Sequence, residues 1–178
     1  MELDRRLLNA VIDWLDEDAV RRVPGGAEDD VYTRLQQPYR AANRALARVS
    51  ELLLVDGFDA RIVGKLHPHV VALPTGSGLN INAATATLLA TIDEDFTGQL
   101  VAEIENRRHN EAFDSVRELA ALMLDHGISV DVQALTTESR FFAVHSVVRI
   151  SQRAFRVVTL VESQDRRYRV LQRQVEEV

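Results

Sequence analysis

The chain has 178 residues, with 21 basic and 27 acidic side chains, a formal charge of −6 and 46% hydrophobic content. This composition lies in the globular range and excludes wholesale disorder, while the acidic balance argues against a nucleic-acid partner, since neutralising phosphates needs a basic face. The absence of cysteine excludes a disulfide scaffold, a thiolate metal site and a Cys nucleophile.

Residues 3–15 read as an amphipathic helix, with Leu3, Leu7, Val11 and Leu15, or Leu8, Ile12 and Leu15, at helical spacing and Trp14 anchoring its end in the core. Pro24-Gly25-Gly26 breaks the chain, and residues 28–36 form a second, short helix ended by Pro38. Residues 41–47 predict a further helical turn. Another opens at Ser50–Leu54, and after Gly57 a helix covers 59–66. Val70 to Leu73 is extended and Pro74 to Gly78 is a loop. Asn82 caps a helix over 83–92.

After about residue 95 the pattern changes. A helix over 114–125 stops at Gly127, which suits the left-handed position after a helix C-terminus. Strand-like runs follow at 128–136, 141–150, 154–162 and 168–175, joined by turn-like Ser151-Gln152-Arg153 and Ser163-Gln164-Asp165, a pattern that predicts an antiparallel meander. In the second run Phe142, Val144, Val148 and Ile150 share one face. The expectation is an α+β chain, helical over 1–95 and α+β over 96–178. No apolar run approaches the ~20 residues of a membrane helix; Leu119–Leu124 is ended by Asp125. Charged Glu2, Asp4, Arg5 and Arg6 do not read as a signal peptide.

Charge is concentrated in one place. Residues 13–30 hold seven carboxylates against Arg21 and Arg22, so Asp16-Glu17-Asp18 and Glu28-Asp29 set hard oxygen donors on both arms of the Pro-Gly-Gly turn. A calcium ion, which takes six to eight oxygens, would offset the repulsion among them; a solvated acidic loop paired with Arg21 and Arg22 is the other reading. An EF-hand is excluded, because Arg21 falls where Gly is required and Ala27 where the bidentate Glu belongs.

The remaining motifs are weak. His67, His69, His109, His126 and His145 match no zinc spacing. Thr75–Gly78 lacks the Gly-Lys-Ser/Thr of a phosphate loop, Gly-x-Ser-x-Gly is absent, and no catalytic residue is assigned. Val49–Leu54 with Gly57, and Leu79–Ala84, are similar to pieces of helix-hairpin-helix modules. The nucleic-acid-binding version wants a Gly-x-Gly hairpin and basic neighbours, whereas Asp56 and Asp59 flank Gly57.

Five segments in one order, Val11–Asp18 (VIDWLDED), Pro24–Asp29 (PGGAED), Pro38–Asn43 (PYRAAN), Val49–Leu52 (VSEL) and Leu79–Ala84 (LNINAA), together resemble the minor pseudopilin K (GspK) family of type II secretion. Ser139–Phe142 (SRFF) and the strand meander are similar to the end of that family. The resemblance implies a non-enzymatic, pilin-like subunit with a large helical insertion, standing at the tip of the periplasmic pseudopilus with the minor pseudopilins I and J. It also implies Ca²⁺ at Asp16, Asp18, Glu28 and Asp29, with a backbone carbonyl near Val20 or Arg22 completing the shell and Asn43 either supporting a ligand or bonding within the loop. Asp13 is expected on the helix, and Asp30 is a weaker ligand. Family members begin with a cleaved leader and an inner-membrane anchor helix; nothing here corresponds to these, so either a start inside the insertion or a reduced relative is expected, the former ahead of the latter.

Overall fold

The computed structural model describes residues 4–74 and 76–177. The chain divides into two compact units, Met1–Ser77 and Gly78–Val178. That division falls ahead of the change at residue 95 suggested by hydropathy, because 78–95 packs with the helices that follow it.

In the first unit helix α1 spans Arg5–Leu15, started by the Asp4 side chain, which accepts from the Arg6 N–H. Its buried face is Ala10, Asp13 and Trp14, three and four residues apart, rather than the aliphatic stripe expected from the sequence. Leu7, Leu8 and Val11 instead line an apolar recess of about 430 Å³ shared with Leu46, Phe58 and Leu66. Trp14 meets Tyr32 edge-on at 5.2 Å, and Tyr39 stacks on Tyr32 at 5.3 Å, so three aromatic rings form the centre of this core.

Helix α2 is one turn, Asp29–Tyr32, and not the longer helix expected over 28–36. The chain returns after it, with the Tyr39 N–H donating to the Tyr32 carbonyl. Residues 41–47 hold no helix. The Ala41 N–H is taken by Asp29 Oδ1 at 3.0 Å, a side-chain bond that competes with a helical one. A 3₁₀ helix follows at Val49–Leu54, then helix α3, Ala60–Leu66, capped by Asp59 through the Ile62 N–H. Residues 70–73 pair with no strand.

The second unit opens with strand β1, Leu79–Asn80, parallel to β2, Leu135–Thr136. Helices α4 (Ala86–Leu89), α5 (Gly98–Asn110) and α6 (Val116–Asp125) enclose a core that includes Ile81, Leu89, Ile104, Leu119 and Met123. Asn82 caps no helix. Its amide bridges two loops, accepting from the Phe113 N–H and donating to the Phe113 and Thr137 carbonyls, and Thr85 caps α4. Helix α6 closes as expected: Gly127, at φ +77°, donates to the Leu124 carbonyl and Ile128 to that of Met123, a Schellman closure. The run 128–136 is a strand only at its end, because Ile128 and Val130 pack onto the helical core.

The last three runs form the antiparallel meander: β3 (Phe141–Ile150), β4 (Arg153–Gln164) and β5 (Arg167–Glu177), in the order β3-β4-β5 with an irregularity in the β4–β5 pairing at Leu160/Val161. Phe142 lies opposite Val161, and Val148 opposite Phe155, so the shared face is apolar across strands. Among the described residues no helix is long and apolar enough to cross a membrane.

Candidate metal centre

The acidic segment is a loop folded back along α1 and tied to it by polar bonds. The Asn9 amide donates to the Pro24 carbonyl at 2.8 Å, and Arg21 Nε to the Gly26 carbonyl at 2.6 Å. The Arg22 carbonyl, one of the two expected to complete an ion's shell, accepts from the Gly26 N–H and closes the tight turn. The Val23–Pro24 peptide is cis, and Gly25 sits at φ +85° against the Cβ, Cγ and Cα of Arg6, where a side chain has no room.

Beneath this loop lies Asp13, fully buried. Arg22 Nη1 donates to Asp13 Oδ1 at 2.9 Å, and the Arg22 N–H to Asp13 Oδ2 at 3.1 Å. The same Nη1 also pairs with Asp16 Oδ2. These two carboxylates, Asp13 first, hold the Arg22 guanidinium above its ordinary pKa.

The loop brings Asp16, Asp18 and Glu28 together: one oxygen from each lies within 4.8 Å of the other two. Asp16 ends α1, Asp18 follows two residues on and accepts from the Val20 N–H, and Glu28 precedes α2. Glu28 is 4% exposed, and burial, then the charges of Asp13, Asp16, Asp18 and Asp29, push its carboxyl up to about 7. Two oxygens of the group, Asp16 Oδ1 and Glu28 Oε1, are buried without a hydrogen-bond donor. A carboxylate oxygen stripped of water and given no donor is costly, and a cation in contact with it removes that cost.

Asp29 is not brought into this group. Its Oδ1 accepts from the Ala41 N–H and its Oδ2 from Arg40 Nη1 at 2.9 Å, so its carboxylate fixes the return of the chain after α2. Asp30 pairs with Arg21 at 4.0 Å. Asn43, at φ 47°, donates its backbone N–H to the Trp14 carbonyl on α1, which ties the returning chain to that helix. Among the described residues no other group of three or more His, Cys, Asp or Glu side chains converges in this way. Sequence reasoning placed Asp13 on the helix and paired Arg22 with the acidic loop, but missed that the two meet as the base of the site. The signal was available: an acid three residues from Ala10 and beside Trp14 must be buried if that face is, and it then needs a cation.

Residues 1–75 match the family model described as type II secretion system protein K. The chain is 34% identical over 182 residues to the type II secretion system protein K of Pectobacterium carotovorum, covering 97% of this chain and 55% of that protein. It is 34% identical to the Pseudomonas aeruginosa protein of the same name, covering 97% of this chain and 51% of that one. A chain of the crystal structure of the GspK–GspI–GspJ complex from enterotoxigenic Escherichia coli superposes with a TM-score of 0.75 at 25% identity, over 97% of this chain and 63% of that chain. The chain therefore spans about half the length of these curated relatives. Matched by family model, relatives and fold, it belongs to the type II secretion system protein K family.

Proposed function

We propose that this chain is a non-enzymatic structural part of a type II secretion pseudopilus, assembling with the minor pseudopilins I and J at the filament tip. In this reading it is the periplasmic region of a protein anchored in the inner membrane. The observation that carries the reading is the likeness over 97% of the chain to a chain of the GspK–GspI–GspJ complex. The helical first unit supplies bulk. An object of that kind on one end of a filament obstructs addition of the next subunit there, which limits the protein to the tip. Co-expression with the I and J pseudopilins of the same organism, followed by size-exclusion chromatography, tests the assembly. A stable ternary complex is expected, and separate elution of this chain would overturn it.

Calcium is part of the proposal. Asp16, Asp18 and Glu28 would hold the ion, and the two buried oxygens without donors fit a hard divalent cation, as does the all-oxygen donor set. When bound, the ion supplies positive charge between the end of α1 and the start of α2. The chain's own residues prepare for it: Arg22 binds Asp16 through Oδ2 alone, and Asp29 holds the loop after α2 in place. A cation that binds only the folded form adds about 2.7 kcal/mol of stability at one hundred times Kd. Equal melting temperatures in calcium and in chelator would remove calcium from the proposal.

A further inference from the structure

The end of the sheet formed by the β4–β5 hairpin carries a second polar site, far in sequence from the acidic loop. Residues 140–178 hold eight arginines and four carboxylates in a chain whose total charge is −6. Glu162 is buried at this end, and each of its oxygens is held by a different guanidinium. Arg140 Nη2 pairs with Oε1, while Arg169 donates Nε to Oε2 at 2.9 Å and approaches it through Nη2 at 2.6 Å. Burial raises the Glu162 pKa, but the bonds from Arg169 and Arg140 outweigh this and leave it below its ordinary value, so the carboxylate stays charged and both arginines stay fixed.

Fixing two arginines costs side-chain freedom, and the fold meets that cost without covering them: their side chains remain 54% and 70% exposed. Arg140 is further located by Gln164 Oε1 at 3.1 Å and by the ring of Phe141, 5.6 Å away. Together with Arg167, Asp165 and Tyr168 these groups line an open recess of about 550 Å³. Three guanidinium groups face two carboxylates there, so the recess is positive in a negative molecule. Tyr168, 76% exposed, stands at its side. Arginine and tyrosine are among the side chains enriched at protein interfaces, and pre-ordered guanidinium forks match a carboxylate in two-point geometry.

We propose that this recess docks an acidic segment of a protein partner, with a partner carboxylate seated on the guanidinium groups that Glu162 holds in place and on Arg167. A lipid surface fits less well: the site is concave and contains no lysine, and its cations are bound in fixed forks rather than spread over a flat face.

Fluorescence anisotropy of the whole chain with a labelled hexaglutamate peptide, at about 50 mM salt, tests this. Hexaglutamate is expected to bind and hexaglutamine not to bind. Arg167→Glu is expected to weaken binding about tenfold or more, as is Arg140→Glu, while Arg61→Glu in the first unit leaves it unchanged. Arg167→Gln leaves the Glu162 bonds intact, so it decides the matter if Arg140→Glu fails to fold. No binding of hexaglutamate at about 1 mM, a level that detects weak interface contacts, overturns the proposal. So does binding indifferent to Arg167, or equally reduced by Arg61→Glu. Binding to phosphatidylglycerol vesicles that requires Arg167, without peptide binding, replaces the protein partner by a lipid and also overturns it.

Discussion

Arg22 grips Asp13 at two points, its guanidinium donating to Oδ1 at 2.9 Å and its own backbone N–H to Oδ2 at 3.1 Å. One residue therefore satisfies both oxygens of a carboxylate that solvent cannot reach. The pair of hydrogen bonds ties residue 22 of the loop to the last turn of α1, and with it the spacing of Asp16 and Asp18 from Glu28. Asp13 is thus the foundation of the candidate metal centre without belonging to its ligand group.

Asp13→Asn keeps the shape but presents an N–H₂ to at least one of two donors. A lost hydrogen bond to a charged group costs about 2 kcal/mol, and a unit of this size loses several degrees of melting temperature for each kcal/mol. Chemical denaturation read by far-UV circular dichroism should show a fall of that order. Calcium stabilisation should weaken in parallel, because the loop that presents the acids loosens. A variant as stable as the parent would mean that Arg22 does not hold the loop through Asp13.

Glu28 makes the same centre sensitive to pH. Its folded carboxyl titrates at about 7, against an ordinary value of 4.5, so without a cation the folded chain binds the proton more tightly than the unfolded chain. The Glu28 contribution is therefore fully present below about pH 4.5 and is lost as pH rises to about 7, and over that window metal-free stability falls. A cation must displace this proton. Its apparent affinity should drop about tenfold from pH 8 to pH 6. Trp14, the sole tryptophan, lies two residues before Asp16 and gives a fluorescence reading of both titrations. Glu28→Gln should remove the cation response and raise metal-free stability at pH 8. Retention of a full calcium response in Glu28→Gln would exclude Glu28 as a ligand.

Much of this was legible from local sequence, and the gaps have physical causes. The sheet could be read because the strand runs are rich in Val, Phe and Ile, with Phe142, Val144, Val148 and Ile150 on one face, and the turns between them are short. Helix α6 could be read from its apolar spacing and Gly127. Helix α5 was missed: only Leu100, Val101 and Ile104 of its thirteen residues are buried, so charged and polar side chains dominate the pattern. The helix expected over 28–36 stops after one turn, and the helical turn expected at 41–47 gives way to the Asp29 carboxylate, which bonds the Ala41 N–H from twelve residues away. Asp16, Asp18 and Glu28 converge because Asp16 ends α1 and Glu28 precedes α2, while Asp18 lies in the loop that folds back between them. Asp29, one residue further, faces the returning chain, a matter of direction that spacing along the sequence does not encode.

Glycines in the two settings of the first unit should respond in opposite ways. A Cβ on Gly26 would fall on Asp13 Oδ2 and the Arg22 carbonyl, neither of which can move without breaking the loop bonds. Gly26→Ala should cost about 2 kcal/mol by overpacking. Gly64 lies inside α3, and a methyl group added there would meet nothing beyond its own helix backbone within 4 Å. Gly64→Ala should add about 0.5–1 kcal/mol through helix propensity and unfolded-chain entropy. Thermal melts of both variants in chelator test the pair, and similar shifts would contradict the close approach at Gly26.

Ile104 measures how firmly α5 is built into the second unit. It is fully buried at the centre of the core that also holds Leu119 and Met123, on a helix whose other faces are polar. Truncation to Ala removes three carbons and leaves a space that packed neighbours only partly fill, at a cost of about 2–5 kcal/mol. The nearby Ala102 is exposed on the same helix, so Ala102→Ser should change stability by less than about 0.5 kcal/mol. Urea denaturation of both variants in calcium gives the comparison, since midpoint shifts at constant slope report stability alone. The calcium-dependent rise in melting temperature expected from the proposed site would arise in the first unit and should survive Ile104→Ala. A shift below about 1 kcal/mol for Ile104→Ala would place α5 at the surface rather than in the core.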